Sequence, residues 1–288
     1  MKKNLLAAAV ALAALTACNQ QQAAETEAAP AVQLYAMECG RISFPDTTAF
    51  ADDGSFDGVA RDFVDPCYLI RHPDGDLIWD LGFPDQLARS PDGMRIEALN
   101  AQVTMPVTLA SQLAQLDLTP ADIEFISVSH SHTDHMGNAG LFASTATWIV
   151  DPDERAHAFR DAARADAQSW PLIAPLENAE TRLIESDAYD VFGDGSVKIF
   201  QAPGHTPGHT VLLVQLPNAG AVLLTGDMYH LAESRDRQTV PRFNVDRAQT
   251  LASMQRVEEI GHAANARVIR QHVQEDFDSL PRFPEALN

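Results

Sequence analysis

The sequence predicts an α/β fold, and three observations carry that reading. Short apolar, β-branched runs at 123–128, 197–201, 221–224 and 267–270 read as strands, whereas 106–116 and 247–261 carry apolar residues at helical spacing. Each of those strand-like runs is followed within a few residues by a histidine or aspartate: His130, His205, Asp227 and His272. Ligand-type residues at the C-terminal ends of strands are where α/β folds build their sites. No internal repeat and no second domain boundary interrupts the pattern.

The chain begins with Lys2 and Lys3, then an apolar run over 5–15, then Leu15-Thr16-Ala17-Cys18. A charged start, a short apolar stretch and a small-residue cleavage site predict an export signal over 1–17, too short to span a membrane. The cysteine after the small residue resembles a bacterial lipobox, which implies a diacylglyceryl anchor on Cys18; an ordinary secretory signal is the alternative. Asn19 is not the aspartate associated with inner-membrane retention, so the expected location is the periplasmic face of the outer membrane. Residues 18–32 are rich in Gln, Ala and Glu without apolar period and read as a disordered tether. Residues 33–288 are long enough for one large domain with its own core.

The full chain carries a net charge of −20, and removing Lys2 and Lys3 with the signal lowers it by two, to −22. Such a surface argues against nucleic acid and against anionic phosphorylated substrates, and favours a neutral or cationic small molecule. Membrane contact is expected through the lipid alone. Besides Cys18 only Cys39 and Cys67 are present. They are either a disulfide or two buried thiols, and an oxidising compartment favours the disulfide.

Residues 67–71 and 76–79 read as strands around the turn signal His72-Pro73-Asp74-Gly75, with Asp80-Leu81-Gly82 ending the second. The mixed stretch 84–105 reads as an irregular loop or lid. A helix over 106–116 and a turn at Thr119-Pro120 lead into the strand 123–128. Then comes the stretch on which the chain turns, His130-Ser131-His132-Thr133-Asp134-His135. An extended backbone puts residues i and i+2 on one side, so His130 and His132 can face one ion together. Asp134 and His135 follow at the turn and can face a second. Imidazole plus carboxylate suits zinc, with iron, manganese or cobalt as alternatives.

Beyond the motif, 147–150 reads as a strand and 152–167 as a helix on which His157 is an exposed residue rather than a ligand. The strand 197–201 runs into Ala202-Pro203-Gly204-His205-Thr206-Pro207-Gly208-His209, whose prolines and glycines present His205 rigidly. Runs 211–215 and 221–224 flank the turn 217–220, and the second ends in Thr225-Gly226-Asp227. Asp246 is placed to cap the helix 247–261, with Leu251, Met254, Val257 and Ile260 on one face. His272 sits just past the last strand.

In this order, HSHTDH, PGHTPGH, TGD and a late histidine, the chain resembles the metallo-β-lactamase superfamily from Cys39 to His272. The resemblance implies a four-layer αββα sandwich, two mixed sheets with helices outside. It assigns His130, His132 and His205 to one metal ion, Asp134, His135 and His272 to a second, and Asp227 to both. Asp80 becomes a supporting aspartate behind the ligands, and His209 a brace for its loop. Within the superfamily, β-lactamases using this motif generally lack the bridging carboxylate, whereas lactonases and thioester hydrolases have it. The stretch 225–252 and the C-terminal end are similar to N-acyl-homoserine lactonase-like members.

The implied activity is a two-zinc hydrolase opening the ring of acyl-homoserine or related small lactones, with a hydroxide supplied between the ions and Asp134 shuttling a proton. Those lactonases often carry Tyr three residues after the bridging Asp. Here that place is His230, with Tyr229 one earlier, and one of the two is expected to polarise the lactone carbonyl. Val273 stands where an acidic residue is common, and many such lactonases are cytosolic. The alternatives are a β-lactamase-like or promiscuous ester or phosphotriester hydrolase on the same metal pair, and a non-catalytic zinc-binding lipoprotein of the envelope.

Overall fold

Two β-sheets lie face to face in the computed structural model, which describes residues 31–288. The expected signal 1–17, Cys18 and all but the last two residues of the tether therefore lie outside the described residues. The first sheet contains β1 (Gln33–Phe44), β2 (Arg61–His72), β3 (Gly75–Trp79), β4 (Met94–Ile96), β5 (Ala101–Thr104), β6 (Phe125–Ser127), β7 (Thr147–Val150) and β8 (Thr181–Leu183). Its strand order is β4-β5-β1-β2-β3-β6-β7-β8. The second contains β9 (Ala188–Asp190), β10 (Val197–Gln201), β11 (Thr210–Leu216), β12 (Gly220–Leu224) and β13 (Arg267–Ile269), in the order β13-β12-β11-β10-β9.

The period of two along each strand separates three cores. Leu77 and Trp79 of β3, Tyr68 and Ile70 of β2, and Leu212, Val214, Val222 and Leu224 of the second sheet meet between the sheets. Cys67, Leu69 and Ile78 face the other way, against helical residues Leu109, Leu113 and Phe142. Leu213 and Leu223 face Met254 and Val257 of the helix Arg247–Ala263, which Asp246 caps by accepting from Gln249 N–H at 2.9 Å. Helix, sheet, sheet, helix is the expected four-layer order.

Local departures from the sequence reading have local causes. The stretch 84–105 is not irregular: β4 and β5 pair within it and β5 joins the edge of β1, closing a cluster around Phe44, Phe63 and Phe83. The single helix expected over 152–167 is two, Pro152–Ala158 and Asp161–Ala165, because the chain becomes extended at Arg160. The helix expected over 106–116 starts later, at Leu109, where Thr108 caps it through Ser111 N–H. Pro66, inside β2, stands opposite Glu38 beside a register shift between Glu38 and Arg41. A bulge tolerates a residue that cannot donate to the ladder.

Cys39 and Cys67 form a disulfide, with Cα atoms 5.7 Å apart and both side chains buried. Gly82 lies on it: at φ +60 a Cβ there would come within 2.2 Å of the Cys39 Cβ. The disulfide thus underlies the Asp80–Gly82 segment, which receives Gly137 N–H at Gly82 O and gives Leu81 N–H to His135 O.

Candidate metal centre

Five segments that follow strand ends converge at one edge of the sandwich. Asp80 follows β3, the 130–135 motif follows β6, His205 follows β10, Asp227 follows β12 and His272 follows β13. β3 runs parallel to β6, and β12 parallel to β13, so these pairs deliver their C-terminal ends to the same side. His132 is the residue preceding the helical turn Thr133–Met136, which turns Asp134 and His135 away from the extended segment before it.

The side chains make two groups. His130 Nε2 is 2.8 Å from His132 Nδ1, and His205 Nε2 is 3.2 Å and 3.3 Å from those two atoms. Asp134, His135 and His272 make the second group, with Asp134 oxygens 3.9 Å from both His135 Nε2 and His272 Nε2. Asp227 stands between them. Its Oδ2 is 3.4 Å from His130 Nε2 and 3.5 Å from His205 Nε2, while its Oδ1 is 3.4 Å from His135 Nε2 and 2.9 Å from His272 Nε2. All seven residues expected to bind metal are brought together, in the division expected for them.

These residues fit a pair of cations. A ring proton can join two nitrogens of the His130–His132–His205 triplet but not three; a cation at the centre satisfies all three. His135 Nε2 is buried and has no hydrogen-bond partner, an arrangement that costs free energy unless an ion completes it. The outer ring nitrogens of His130, His135 and His272 have polar neighbours behind them, as metal-bound histidines commonly do. His272 Nδ1 lies 2.9 Å from Val64 O, and Ser129 Oγ lies 3.1 Å from His130 Nδ1 and 3.2 Å from His135 Nδ1, with the Asp80 carboxylate 3.2 Å from the latter. Asp80 also accepts Ser129 N–H at 2.7 Å. It holds this place at φ +57, a conformation unfavourable for a non-glycine residue and found where a site demands it.

Electrostatics without metal show what the ions would replace. Burial, and then the neighbouring imidazoles, push His130 and His132 well below the usual imidazole range. Burial opposes protonation of His272 too, but the Asp227 carboxylate raises it to about 9. His135 is raised against its burial by Asp80 and Asp227. Burial alone would raise Asp227, yet His230, His272 and His135 hold it well below the usual carboxylate range. Protons on His135 and His272 stand where the second cation would bind.

His209 is not a ligand: its Nε2 accepts the Asp227 backbone N–H at 3.1 Å, bracing the bridging residue rather than its own loop alone. Gly226, at φ +51, makes that approach feasible, since a Cβ would lie 2.5 Å from the Ser129 Cβ and 2.9 Å from His209 Nε2. His230 and Tyr229 part company. His230 Nε2 lies 3.0 Å from Asp227 Oδ2 and its ring lines the cavity over the site. Tyr229 points the other way, into the core under the long helix, and its hydroxyl donates to Glu258 Oε1 at 2.8 Å. The expectation of a substrate contact from Tyr229 is therefore corrected; successive residues on an extended backbone take opposite sides.

The cavity has a volume of about 480 Å³ and opens directly on Asp134, Asp227 and His272. Phe44, Phe50, Phe63, Phe83 and Phe243 supply much of its apolar lining, and Arg160, Asp166 and Ser169 are polar residues within it. Phe63 stacks on His272 with ring centroids 5.4 Å apart, and Phe50 lies 5.2 Å from His230. None of these aromatics stood out in the sequence, because they come from separate strands and loops. Ser129 and Glu154, both buried against the ligand loops, were also missed. Glu154 had a visible signal, Asp151-x-x-Glu154 at a helix start, that reads as a capping box and not as a site.

Comparison with known proteins agrees with this geometry. The sequence profile of the Metallo-beta-lactamase superfamily matches residues 61–264. The N-acyl homoserine lactonase AttM of Azorhizobium caulinodans is 30% identical over 267 residues, covering 88% of this chain and 97% of that protein. The N-acyl homoserine lactonase AiiA of Bacillus thuringiensis subsp. kurstaki is 26% identical over 225 residues, 77% of this chain and 86% of that one. A solved N-acyl homoserine lactone hydrolase, with the product N-hexanoyl-L-homoserine at its catalytic metal center, superposes with a TM-score of 0.73 at 25% identity. It covers 89% of this chain and 99% of its own.

Proposed function

The chain belongs to the metallo-β-lactamase superfamily, and on that premise we propose that it is a two-zinc hydrolase that opens the lactone ring of N-acyl-homoserine lactones. The observation that carries the reading is Asp227, whose two oxygens face two separate histidine groups at the floor of a largely apolar cavity. A carboxylate so placed would hold a pair of ions at the cavity floor, and the apolar walls suit an acyl chain. Bound there, a zinc pair supplies an activated water at neutral pH and Lewis-acid stabilisation of developing negative charge.

The protein's own groups do the rest. His130, His132 and His205 would hold one ion; Asp134, His135 and His272 the other. Asp134, with its side chain 20% exposed, is the ligand carboxylate open to the cavity, placed to carry a proton to the leaving alkoxide. Burial keeps His230 below the usual imidazole range, hence neutral near pH 7. A neutral ring retains one N–H; at Nε2 it meets Asp227 Oδ2 at 3.0 Å, and with Asp227 engaged by the ions His230 would turn it to the lactone carbonyl. The aromatic walls orient the acyl chain and exclude water around the ester.

The test is ring opening by zinc-loaded protein, followed as acid release from hexanoyl- and decanoyl-homoserine lactone and, in the same preparation, from a penicillin and a phosphotriester. Lactone turnover with little release from the other two supports the proposal. Faster penicillin or phosphotriester hydrolysis moves the protein to the alternative branch of the superfamily, and no turnover of any ester leaves a zinc-binding protein. The N-terminal segment adds location to the same reading: Cys18 would carry the lipid that holds the domain at the envelope. Cys18→Ser is expected to release the protein from membranes with catalysis intact; continued membrane fractionation would count against the anchor.

A further inference from the structure

We propose that Glu154 is a positioning residue that locks the two loops carrying the first ion's ligands to each other. It rests on the two-ion reading of the centre and not on the substrate. Glu154 is 1% exposed, and its carboxylate is divided between the loops. Oε1 accepts Ser131 N–H at 2.7 Å and Ser131 Oγ–H at 2.6 Å; Ser131 lies between His130 and His132. Oε2 accepts Thr206 Oγ1–H at 2.6 Å and Gly208 N–H at 3.1 Å; Thr206 follows His205. One buried side chain thus spans the strand-end loop of the first sheet and the strand-end loop of the second.

The surrounding structure is shaped for this contact. Asp151 caps the helix Pro152–Ala158 by accepting from Asp153 N–H at 2.8 Å, which sets Glu154 in the first turn. In a capping box the glutamate at this position folds back to the cap backbone; here it reaches outward. Gly208 lets the His205 loop seat on that turn, since a Cβ there would come within 2.2 Å of Glu154 N. Asp151 reinforces the seat through Gln201 Nε2–H at 2.7 Å, at the end of β10.

The division matters because the first ion draws ligands from both loops, His130 and His132 from one and His205 from the other. Four hydrogens converge on a carboxylate that only accepts. An amide in its place donates from one arm and would oppose the two hydrogens on that side, freeing one loop from the other. The second ion's ligands have supports besides Glu154: His135 Nδ1 lies 3.2 Å from Ser129 Oγ and from Asp80 Oδ2, and His272 Nδ1 lies 2.9 Å from the Val64 carbonyl. Loss of Glu154 therefore acts more strongly on the ion whose ligands come from both loops than on the other.

The experiment titrates zinc-loaded wild type and Glu154→Gln against a graded chelator series and counts zinc per chain, with no activity readout. In the variant one zinc is expected to leave at about 10–100-fold lower chelator strength, the range for losing an outer support of a metal ligand, while the other shifts by clearly less. Thr206→Val, which removes one donor and keeps the charge, is expected to give a smaller shift of the same single ion, and it serves if Glu154→Gln does not fold. Both zincs leaving as in wild type, in either variant, would overturn the proposal. So would an equal weakening of both, which marks general loosening. A wild type that holds fewer than two zincs overturns the two-ion premise instead, whatever the variants do.

Discussion

His272 Nε2 lies 2.9 Å from Asp227 Oδ1, while the other oxygen of that carboxylate faces His130 and His205. One residue thereby touches both ligand groups, and its removal is expected to be felt at both. Asp227→Ala should lower zinc content from about two ions per chain toward one, with ring-opening activity falling in parallel. Metal analysis after gel filtration checks this. Two ions and unchanged turnover in the variant would refute the bridging role.

His230 and Tyr229 are adjacent in sequence and opposed in space. Removing a donor aimed at a developing oxyanion typically costs about 10²–10³ in kcat, so His230→Ala is expected to lose about that much with zinc content retained. Tyr229→Phe is expected to keep kcat within a few-fold and to lose about 1 kcal/mol of stability with the Glu258 hydrogen bond. Kinetics, metal content and urea unfolding on the same preparations separate the two. A kcat unchanged in His230→Ala would leave carbonyl polarisation to the ions alone.

Asp65, buried on β2, has neither carboxyl oxygen in a hydrogen bond. Burial, and then the nearby Asp134 charge, raise it well above the usual carboxylate range. A carboxyl raised on folding supports the fold fully only below its unfolded pKa, near 3.9, and that support is lost as pH rises through the folded value. In metal-free protein at pH 7, Asp65→Asn is therefore expected to be the more stable by about 1–3 kcal/mol. The advantage should shrink as pH falls toward about 4. Urea unfolding after chelation, across that range, checks the sign. A variant less stable than wild type at pH 7 would mean that the carboxylate has a partner in solution.

Phe243 is 40% exposed and its ring centroid lies 5.8 Å from that of His230, at the mouth of the cavity. On the proposed function, a ring at the mouth would cover the acyl chain of the substrate. Phe243→Ala is expected to lower kcat/KM for decanoyl-homoserine lactone by about tenfold, the worth of roughly 50 Å² of lost apolar contact, and for a butanoyl substrate far less. Equal losses on both would place Phe243 at the ester instead.

The residues that gather at the candidate metal centre were legible in the amino-acid sequence because their chemistry is local. Three histidines and an aspartate within residues 130–135 have one reading, and the strand runs before His205, Asp227 and His272 show where each is delivered. The sequence also narrowed Cys39 and Cys67 to two states, with the oxidised one favoured. What it could not do was orient side chains relative to a surface not yet assembled. Whether Tyr229 or His230 faces the candidate metal centre depends on which way β12 enters the turn at Gly226, where φ is +51 and a Cβ would meet Ser129. The 84–105 stretch looks irregular by period, and only the edge of β1 makes β4 and β5 strands. Glu154 carries a helix-start signature that its own helix does not use, because its four partners are supplied by loops 23 to 54 residues away. Local pattern determined which residues could bind metal; long-range packing decided which groups stand behind them, because a buried polar atom is satisfied by whatever the fold brings within hydrogen-bond reach.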